Sequence, residues 1–216
     1  MSEVSTLITE EHFRYVAEHT RREDDFLREL RAQAQAAGMP AICIAPEQGS
    51  FMQILLRLCH AREVIEVGTL AGYSAIWMAR ALPPDGRIRT IEVSRKHADF
   101  AEEWIAKSDV AARIRILRGS GKDILPKLAR DSADAAFLDA DKRNCAAYLK
   151  ECLRIVRHGG LIMVDNAFAF GELFDQSSQD DNVVAMRAFN EAMPGETALQ
   201  GVIVPIGDGL WVAVKR

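Results

Sequence analysis

The sequence has few of the features that mark membrane, secreted and redox proteins. Its 216 residues include only 4 cysteines, and no two of them form a C-x-x-C pair. There is no apolar run of about 18 residues, and the first residues do not combine a basic stretch with an apolar one. We therefore expect no membrane span, no signal peptide and no structural disulfide, and a cytoplasmic protein with reduced thiols.

Basic residues are also not in excess. Lys and Arg number 27 and Asp and Glu 31, which gives a net charge of -4 and a pI near 5.8. Proteins devoted to nucleic acid present basic surfaces, so nucleic acid is not an expected partner. Hydrophobic residues make up 49%, as in globular proteins. The length predicts a single domain over residues 1–216, with an N-terminal helical cap over 1–60 and an α/β core over 61–216.

Short apolar runs alternate with helix-like segments throughout the predicted core. This alternation indicates βαβ units and a mostly parallel sheet with helices on both faces. The letters PIGDG between the last two runs predict an antiparallel hairpin at the sheet edge. The predicted strands are Val64–Val67, Arg87–Val93, Arg113–Leu117, Ala135–Leu138, Leu161–Val164, Ala198–Val204 and Leu210–Val214.

The first predicted strand ends in EVGTLAGYS, which lacks the G-x-G-x-x-G pattern of dinucleotide-binding proteins. A pyrophosphate is therefore not indicated, and the carboxylate of Glu66 would repel one. Glu66 suits a cation instead, such as the amino group or sulfonium of S-adenosylmethionine. Glu92, at the end of the second strand, can accept hydrogen bonds from ribose hydroxyls. The small-residue loop of residues 118–124 can pack against an adenine ring.

Oxygen-bearing side chains follow the fourth and fifth predicted strands. Asp139, Asp141 and Lys142 lie in FLDADKRN, and Asp165 and Asn166 lie in LIMVDN. The carboxyl ends of adjacent parallel strands meet, so Asp139, Asp165 and Asn166 are expected around one point. An all-oxygen set favours a hard cation, with Mg²⁺ first and Ca²⁺ or Mn²⁺ as alternatives. The competing interpretation is that these residues only cap a helix and start a turn.

Five segments together resemble one known family. EVGTLAGYSA, TIEVS, LDADKRN, GGLIMVDN and PIGDGLWVAVKR are similar to the cation-dependent O-methyltransferases, which include the caffeoyl-coenzyme A and catechol enzymes. The resemblance covers about residue 49 to the C-terminus, and the bacterial small-molecule type fits best. It implies a Rossmann-like class I S-adenosylmethionine-dependent methyltransferase fold with a seven-stranded sheet, N-terminal helices and usually a homodimer.

The resemblance also implies residue roles. The metal ligands match Asp139, Asp165 and Asn166, and the catalytic pair matches Lys142 with Asp139. The cofactor-binding positions match Ile44, Glu66, Gly68, Thr69, Ser74, Glu92, Ser120, Gly121, Asp139 and Asp141.

The implied reaction moves a methyl group from S-adenosylmethionine to one hydroxyl of a vicinal diphenol. Lys142 would assist deprotonation either as a general base with a neutral amine or as a positive neighbour of the oxyanion. The loop that carries Phe168, Phe170 and Phe174 is a candidate wall of the acceptor pocket.

The chain departs from the plant coenzyme A-ester enzymes at Ala169 and Phe170, where they carry Trp-Asn, and at Arg143 and Cys145. These departures argue against a coenzyme A thioester and leave a smaller catechol-like acceptor open. Two further hypotheses stand beside this one. In the first, the chain is a tRNA wobble-uridine hydroxyl methyltransferase. In the second, it is a non-catalytic protein that binds S-adenosylmethionine.

Overall fold

The structure is a computed structural model that describes residues 6–216. The α-helices in this range are α1 (Glu10–His19), α2 (Asp25–Ala36), α3 (Pro46–Leu58), α4 (Tyr73–Ala79), α5 (Arg95–Lys107), α6 (Gly121–Ile124), α7 (Cys145–Ile155) and α8 (Asp181–Ala192). The strands are β1 (Glu63–Val67), β2 (Arg87–Glu92), β3 (Ile114–Arg118), β4 (Ala133–Leu138), β5 (Val156–Val164), β6 (Leu199–Val204) and β7 (Leu210–Lys215).

The strands form one seven-stranded sheet in the order β3-β2-β1-β4-β5-β7-β6. Strands β1 to β5 pair in parallel, and β7 pairs antiparallel with both β5 and β6. The predicted fold class, a mostly parallel sheet with a C-terminal antiparallel hairpin, is therefore confirmed. The strand order reverses between β1 and β4, and open α/β sheets bind ligands at such a position.

The two faces of the sheet are covered by different helices because side chains alternate along each strand. One buried cluster joins residues of α2, α3, α4 and α5 to Val64 and Phe137. The other joins residues of α7 and α8 to Ile65 and Leu138. Consecutive residues of β1 and β4 thus serve opposite cores, and both strands are buried on both faces. Their continuous apolar runs follow from this double burial.

The predicted strand boundaries lie within two residues of the observed ones except at the start of β5. Strand β5 begins at Val156 instead of Leu161, because Val156 already pairs with Ala133. The register between β4 and β5 is irregular at this point, and the polar and glycine residues RHGG before Leu161 do not look like part of a strand. Helix α6, which begins at Gly121, is short and ends at Ile124. Proline 126 has no N–H to continue the helical ladder, and the chain turns into a 3₁₀ segment there.

The segment predicted as a helical cap contains α1, α2 and α3, while its first five residues lie outside the described part. Helix α2 buries Leu27 and Leu30, whereas α1 buries none of its residues. No helix within residues 6–216 is both long enough and apolar enough to cross a bilayer.

Two leucines of α3 differ in burial, and this difference predicts how strongly each contributes to the stability of the protein. Leu56 is 1% exposed and Leu58 is 72% exposed. We expect Leu56→Ala to lower the free energy of unfolding by about 2–5 kcal/mol, because it removes buried methyl groups and leaves a cavity. Leu58→Ala should change it by no more than about 0.5 kcal/mol. Urea unfolding of both variants measures the difference, and equal effects would contradict this account of the core.

Candidate active site

Backbone hydrogen bonds continue the sheet by one residue beyond the strand ends. The N–H of Asp139 donates to the last carbonyl of β1 (2.9 Å), and the N–H of Asp165 donates to the last carbonyl of β4 (3.0 Å). The register pairs Leu138 with Val164, so Asp139 and Asp165 follow at adjacent positions. Adjacent parallel strands lie about 4.8 Å apart, which brings the two aspartates to one place.

Glycine 68 makes this arrangement possible at the end of β1. Its φ is 102°, and a Cβ there would run into the carbonyl of Asp139. Any other residue would push the turn after β1 away from the turn after β4. The absence of a side chain therefore opens the space between the two strand ends.

A cavity of about 920 Å³ occupies this edge of the sheet. It lies at the strand-order reversal, where the turns after β1 and β4 face each other. Of the predicted site residues, the structure brings together along this one cavity Ile44, Gly68, Thr69, Ser74, Glu92, Ser120, Gly121, Asp139, Asp141, Lys142, Asp165 and Asn166. Glu66 is the exception, since it lies fully buried behind the wall.

Glu66 contacts the cavity through Ser74. The hydroxyl of Ser74 donates to Oε1 of Glu66 (2.5 Å), while Oε2 is buried without a hydrogen-bond partner among the described residues. Burial raises the pKa of Glu66 to about 8, and the hydrogen bond from Ser74 opposes this only in part. A carboxylate in this position favours a proton or a cationic ligand.

Glu92 organises the loop that follows β1. Its Oε2 accepts the backbone N–H groups of Thr69 (3.2 Å) and Leu70 (2.9 Å), and its Oε1 accepts that of Ser94 (2.8 Å). A carboxylate offers about four acceptor positions, so one remains for a ligand hydroxyl. Nδ1 of His97 lies 3.7 Å from Oε1, at the same wall of the cavity.

Lys142 is the only lysine among the residues that line the cavity, and it lies next to the aspartate pair. Its Nζ donates to Oδ1 of Asp139 at 3.0 Å, and its side chain is 5% exposed. Burial alone disfavours the ammonium, but the charges of Asp139 and Asp165 outweigh burial and raise the pKa of Lys142. Lys142 is therefore a cation in the protein as described.

Asp165 is the more buried member of the pair. Burial, followed by repulsion from Asp139, raises the pKa of Asp165 well above its usual range. The side-chain amide of Gln48 donates to Oδ1 of Asp165 (2.8 Å) from α3, and Gln48 is itself buried. When both aspartates are ionised, the pair carries two negative charges against the single positive charge of Lys142.

Asn166 and Asp141 are held by neighbouring side chains. Nδ2 of Asn166 donates to Oδ2 of Asp208 (3.0 Å), so its amide oxygen is the atom left for another partner. The hydroxyl of Tyr148 donates to Oδ1 of Asp141 (2.7 Å). A Cβ at Gly121 would lie 2.8 Å from the ring of Tyr148, so this glycine lets α6 approach α7.

The cavity is acidic. Carboxylates from Glu92, Asp139, Asp141, Asp165 and Asp208 line it, while Lys142 and His97 are the only basic residues in the same lining. A concave site with this balance attracts cationic ligands. Among the described residues, no group of three or more His, Cys, Asp or Glu side chains is placed to hold a metal ion. The candidate donors are two aspartates and one amide.

Sequence reasoning missed several residues of the cavity. Gln48 lies 117 residues from its partner Asp165, and no motif marks it. Asp208 lies in the segment PIGDG, which predicts only a hairpin turn, and no motif marks His97. Tyr148 follows Asp141 by seven residues at the start of α7, a spacing that could have suggested contact.

Comparison with known proteins gives matches over nearly the whole chain. Residues 17–216 match the family described as O-methyltransferase. A protein named catechol O-methyltransferase from Niastella koreensis is 40% identical over 94% of this chain and 95% of its own length. A second protein of that name, from Mycobacterium tuberculosis, is 38% identical over 90% of each chain.

Solved structures agree with the sequence relatives. An O-methyltransferase from Bacillus cereus, solved in complex with SAH, superposes with a TM-score of 0.85 at 34% identity, covering 94% of this chain and 96% of that one. The O-methyltransferase TomG of Streptomyces achromogenes, solved with SAM, gives 0.85 at 31% identity, covering 97% and 99%.

The buried Glu66 generates a pH-dependent stability prediction. Its folded-state pKa of about 8 exceeds the unfolded value, so the wild type is progressively penalised between about pH 4 and pH 8. We expect the unfolding free energy of Glu66→Gln, relative to wild type, to rise by about 2–4 kcal/mol from pH 5 to pH 8 in the ligand-free protein. Urea unfolding at several pH values measures this change.

Leu58→Ala serves as the control, because it removes no titratable group and its difference from wild type should not vary with pH. A Glu66→Gln difference that is equally constant would contradict the proposed burial of an ionisable carboxyl.

Proposed function

The chain belongs to the O-methyltransferase family, and from this premise we propose that it transfers the methyl group of S-adenosylmethionine to one hydroxyl of a small vicinal diphenol. The observation that carries the proposal is the adjacency of Asp139 and Asp165, with Lys142 and Asn166 beside them, in an acidic cavity. Two relatives named catechol O-methyltransferase support the acceptor class. Relatives solved with SAH and SAM support the donor.

The turn after β1 supplies the proposed binding site for the methionine part of the donor. Ser74 lines the cavity and Glu66 lies directly behind it, so the pair can hold a cationic amino group. Glu92 has one acceptor position left for a ribose hydroxyl. Ser120 and Gly121 lie beyond it, where the adenine would pack, with Asp141 nearby.

The residues at the ends of β4 and β5 fit a divalent cation. Asp139, Asp165 and Asn166 offer only oxygen donors, and the carboxylate pair is under-compensated by Lys142. All-oxygen sets of this kind suit Mg²⁺, with Ca²⁺ and Mn²⁺ as alternatives. When bound, such an ion would favour the ionised form of the diphenol and fix its orientation.

Lys142 has the charge to stabilise a phenolate at the acceptor oxygen. Ionising a phenol of pKa about 10 at pH 7 costs about 4 kcal/mol, so a buried positive charge beside the oxygen is valuable. In the protein without a bound cation, the charges of Asp139 and Asp165 raise the pKa of Lys142, whereas a cation bound to these aspartates would lower it. Of the two roles we propose the cationic one, because Nζ of Lys142 already donates to Asp139 at 3.0 Å. The hydroxyl proton then leaves to solvent, and Lys142 keeps its own.

The acceptor side of the cavity suits a small molecule. Ile42, Cys43 and Phe170 line it, and Phe170 is half-exposed at the mouth. No arginine is among the lining residues, so the cavity lacks the planar donors that bind the phosphates of a coenzyme A ester well. The acceptor class that fits is therefore a compact diphenol.

The predicted homodimer stays a prediction. Helix α1 buries none of its residues, and Tyr15 and Val16 on it are exposed. This exposure is compatible with a partner subunit.

The direct test is methyl transfer to catechol with labelled S-adenosylmethionine and Mg²⁺. We expect one methyl ether and one S-adenosylhomocysteine for each turnover. Excess EDTA should lower the rate at least about 100-fold, and added Mg²⁺ should restore it, because the carboxylate pair would lose its cation. Liquid chromatography with mass spectrometry measures both products.

Phenol, with a single hydroxyl, is the matched control and should not be methylated at a comparable rate. Equal turnover of phenol and catechol, or a rate that EDTA leaves unchanged, would contradict the proposed acceptor and metal. Methylation of tRNA instead of catechol would replace the proposal with the tRNA hypothesis.

Variants of Lys142 distinguish its two roles. We expect Lys142→Met to lower kcat about 100- to 1000-fold, because a charge aimed at the developing oxyanion is lost. Lys142→Arg should keep at least about tenfold more activity than Lys142→Met, because arginine retains the charge but cannot act as a base. Steady-state kinetics with catechol measures both.

The exposed Lys150 on α7 supplies the control variant Lys150→Met, which should leave kcat unchanged. Equal inactivation by the arginine and methionine variants at position 142 would favour the general-base role instead.

A further inference from the structure

The loop after β5 rests on the turn between β6 and β7. The backbone N–H of Ala167 donates to the carbonyl of Gly209 (2.9 Å), and the N–H of Phe168 donates to the carbonyl of Asp208 (2.9 Å). The Oδ2 atom of Asp208 also accepts the N–H of Phe170 (2.8 Å) and Nδ2 of Asn166 (3.0 Å). A single carboxylate oxygen therefore contacts both the loop backbone and a side chain of the proposed metal site.

The contact with Asn166 determines which end of its amide points away from Asp208. The oxygen and nitrogen ends of an amide have nearly the same shape, so packing alone does not choose between them. An ionised carboxylate only accepts hydrogen bonds, so it attracts the NH₂ end. The amide oxygen is then directed away from Asp208, and oxygen is the end that can bind a hard cation.

We propose that Asp208 is a positioning residue that fixes the side-chain amide of Asn166 with its oxygen available to a divalent cation. This inference rests on the metal site of the proposed function. Outer partners of metal ligands commonly change metal affinity about 10- to 100-fold when removed. Asp208 itself remains engaged with Asn166 and Phe170 and does not ligate the ion.

Asp208 also holds a strained backbone, which gives it a second role to separate from the first. Asn166, Ala169 and Phe170 have φ values of 62°, 53° and 61°, in the region that side chains other than glycine rarely adopt. Removing Asp208 frees the N–H of Phe170 as well as the amide of Asn166. A loss of metal affinity in one variant would therefore not identify the cause.

The substitution Asn166→Asp separates the two roles. A carboxylate presents oxygen at both ends, so it has no orientation for Asp208 to fix, and aspartate also tolerates positive φ. Loop anchoring by the Phe170 N–H is the same in both backgrounds. Asp208 would moreover repel a carboxylate at position 166, so its removal there should not weaken cation binding.

The experiment compares Mn²⁺ binding by the wild type, Asp208→Ala, Asn166→Asp and the double variant, using electron paramagnetic resonance titration of the full chain. We expect Asp208→Ala to weaken Mn²⁺ binding about tenfold in the Asn166 background. In the Asn166→Asp background the same change should leave the Kd unchanged or lower it. Thermal unfolding of each protein reports whether it is folded.

Asp208→Asn is the second variant in case alanine prevents folding. Its amide oxygen can still accept the N–H of Phe170, but it attracts the NH₂ of Asn166 less strongly than a carboxylate does. We expect about threefold weaker Mn²⁺ binding in the Asn166 background and no weakening in the Asn166→Asp background.

The outcomes are distinct. Equal weakening in both backgrounds, or none in the Asn166 background, overturns the positioning role and leaves the proposed function intact. Absence of Mn²⁺ binding by the folded wild type overturns the metal site of the proposed function and this inference with it. Weakening confined to the Asn166 background supports both.

Discussion

Two carboxylates at adjacent strand ends are the constraint on which this site depends. The β4–β5 ladder continues to Asp139 and Asp165, so the backbone itself holds the two acids together. Their mutual repulsion and the burial of Asp165 favour any cation that can approach. Lys142 supplies one positive charge at 3.0 Å from Asp139, and the proposed divalent ion would supply the rest. The favourable free energy of packing in the rest of the sheet offsets the cost of holding the two acids together.

The same reasoning applies to the donor half of the cavity. Glu66 is fully buried, and one of its oxygens has no hydrogen-bond partner within residues 6–216. This burial costs stability in the ligand-free protein and prepares a binding position for a cationic group. Glu92 combines two tasks, since it holds the turn after β1 and retains one acceptor position. Stability and function therefore place opposite demands on Glu66, as is common at active sites, whereas Glu92 serves both.

Much of this could be predicted from the sequence because the relevant patterns are local. Apolar runs such as Val64–Val67 are short and continuous because central parallel strands are buried on both faces. Acids that directly follow such runs must lie at the carboxyl edge of the sheet. Gln48 and Asp208 gave no such signal, because each reaches the site from an element far away in the chain. Their roles depend on side-chain contacts that no spacing encodes.

The sequence by itself determined the strand and helix alternation, the fold class and the set of acids at the strand ends, since each depends on periodicity over a few residues. Only the tertiary structure decided which acids are buried and which side-chain atoms form hydrogen bonds with one another. It placed Glu66 behind Ser74 and set Asp208 against Asn166. Burial and hydrogen-bond partners are properties of the packed chain, because they arise where segments distant in sequence meet.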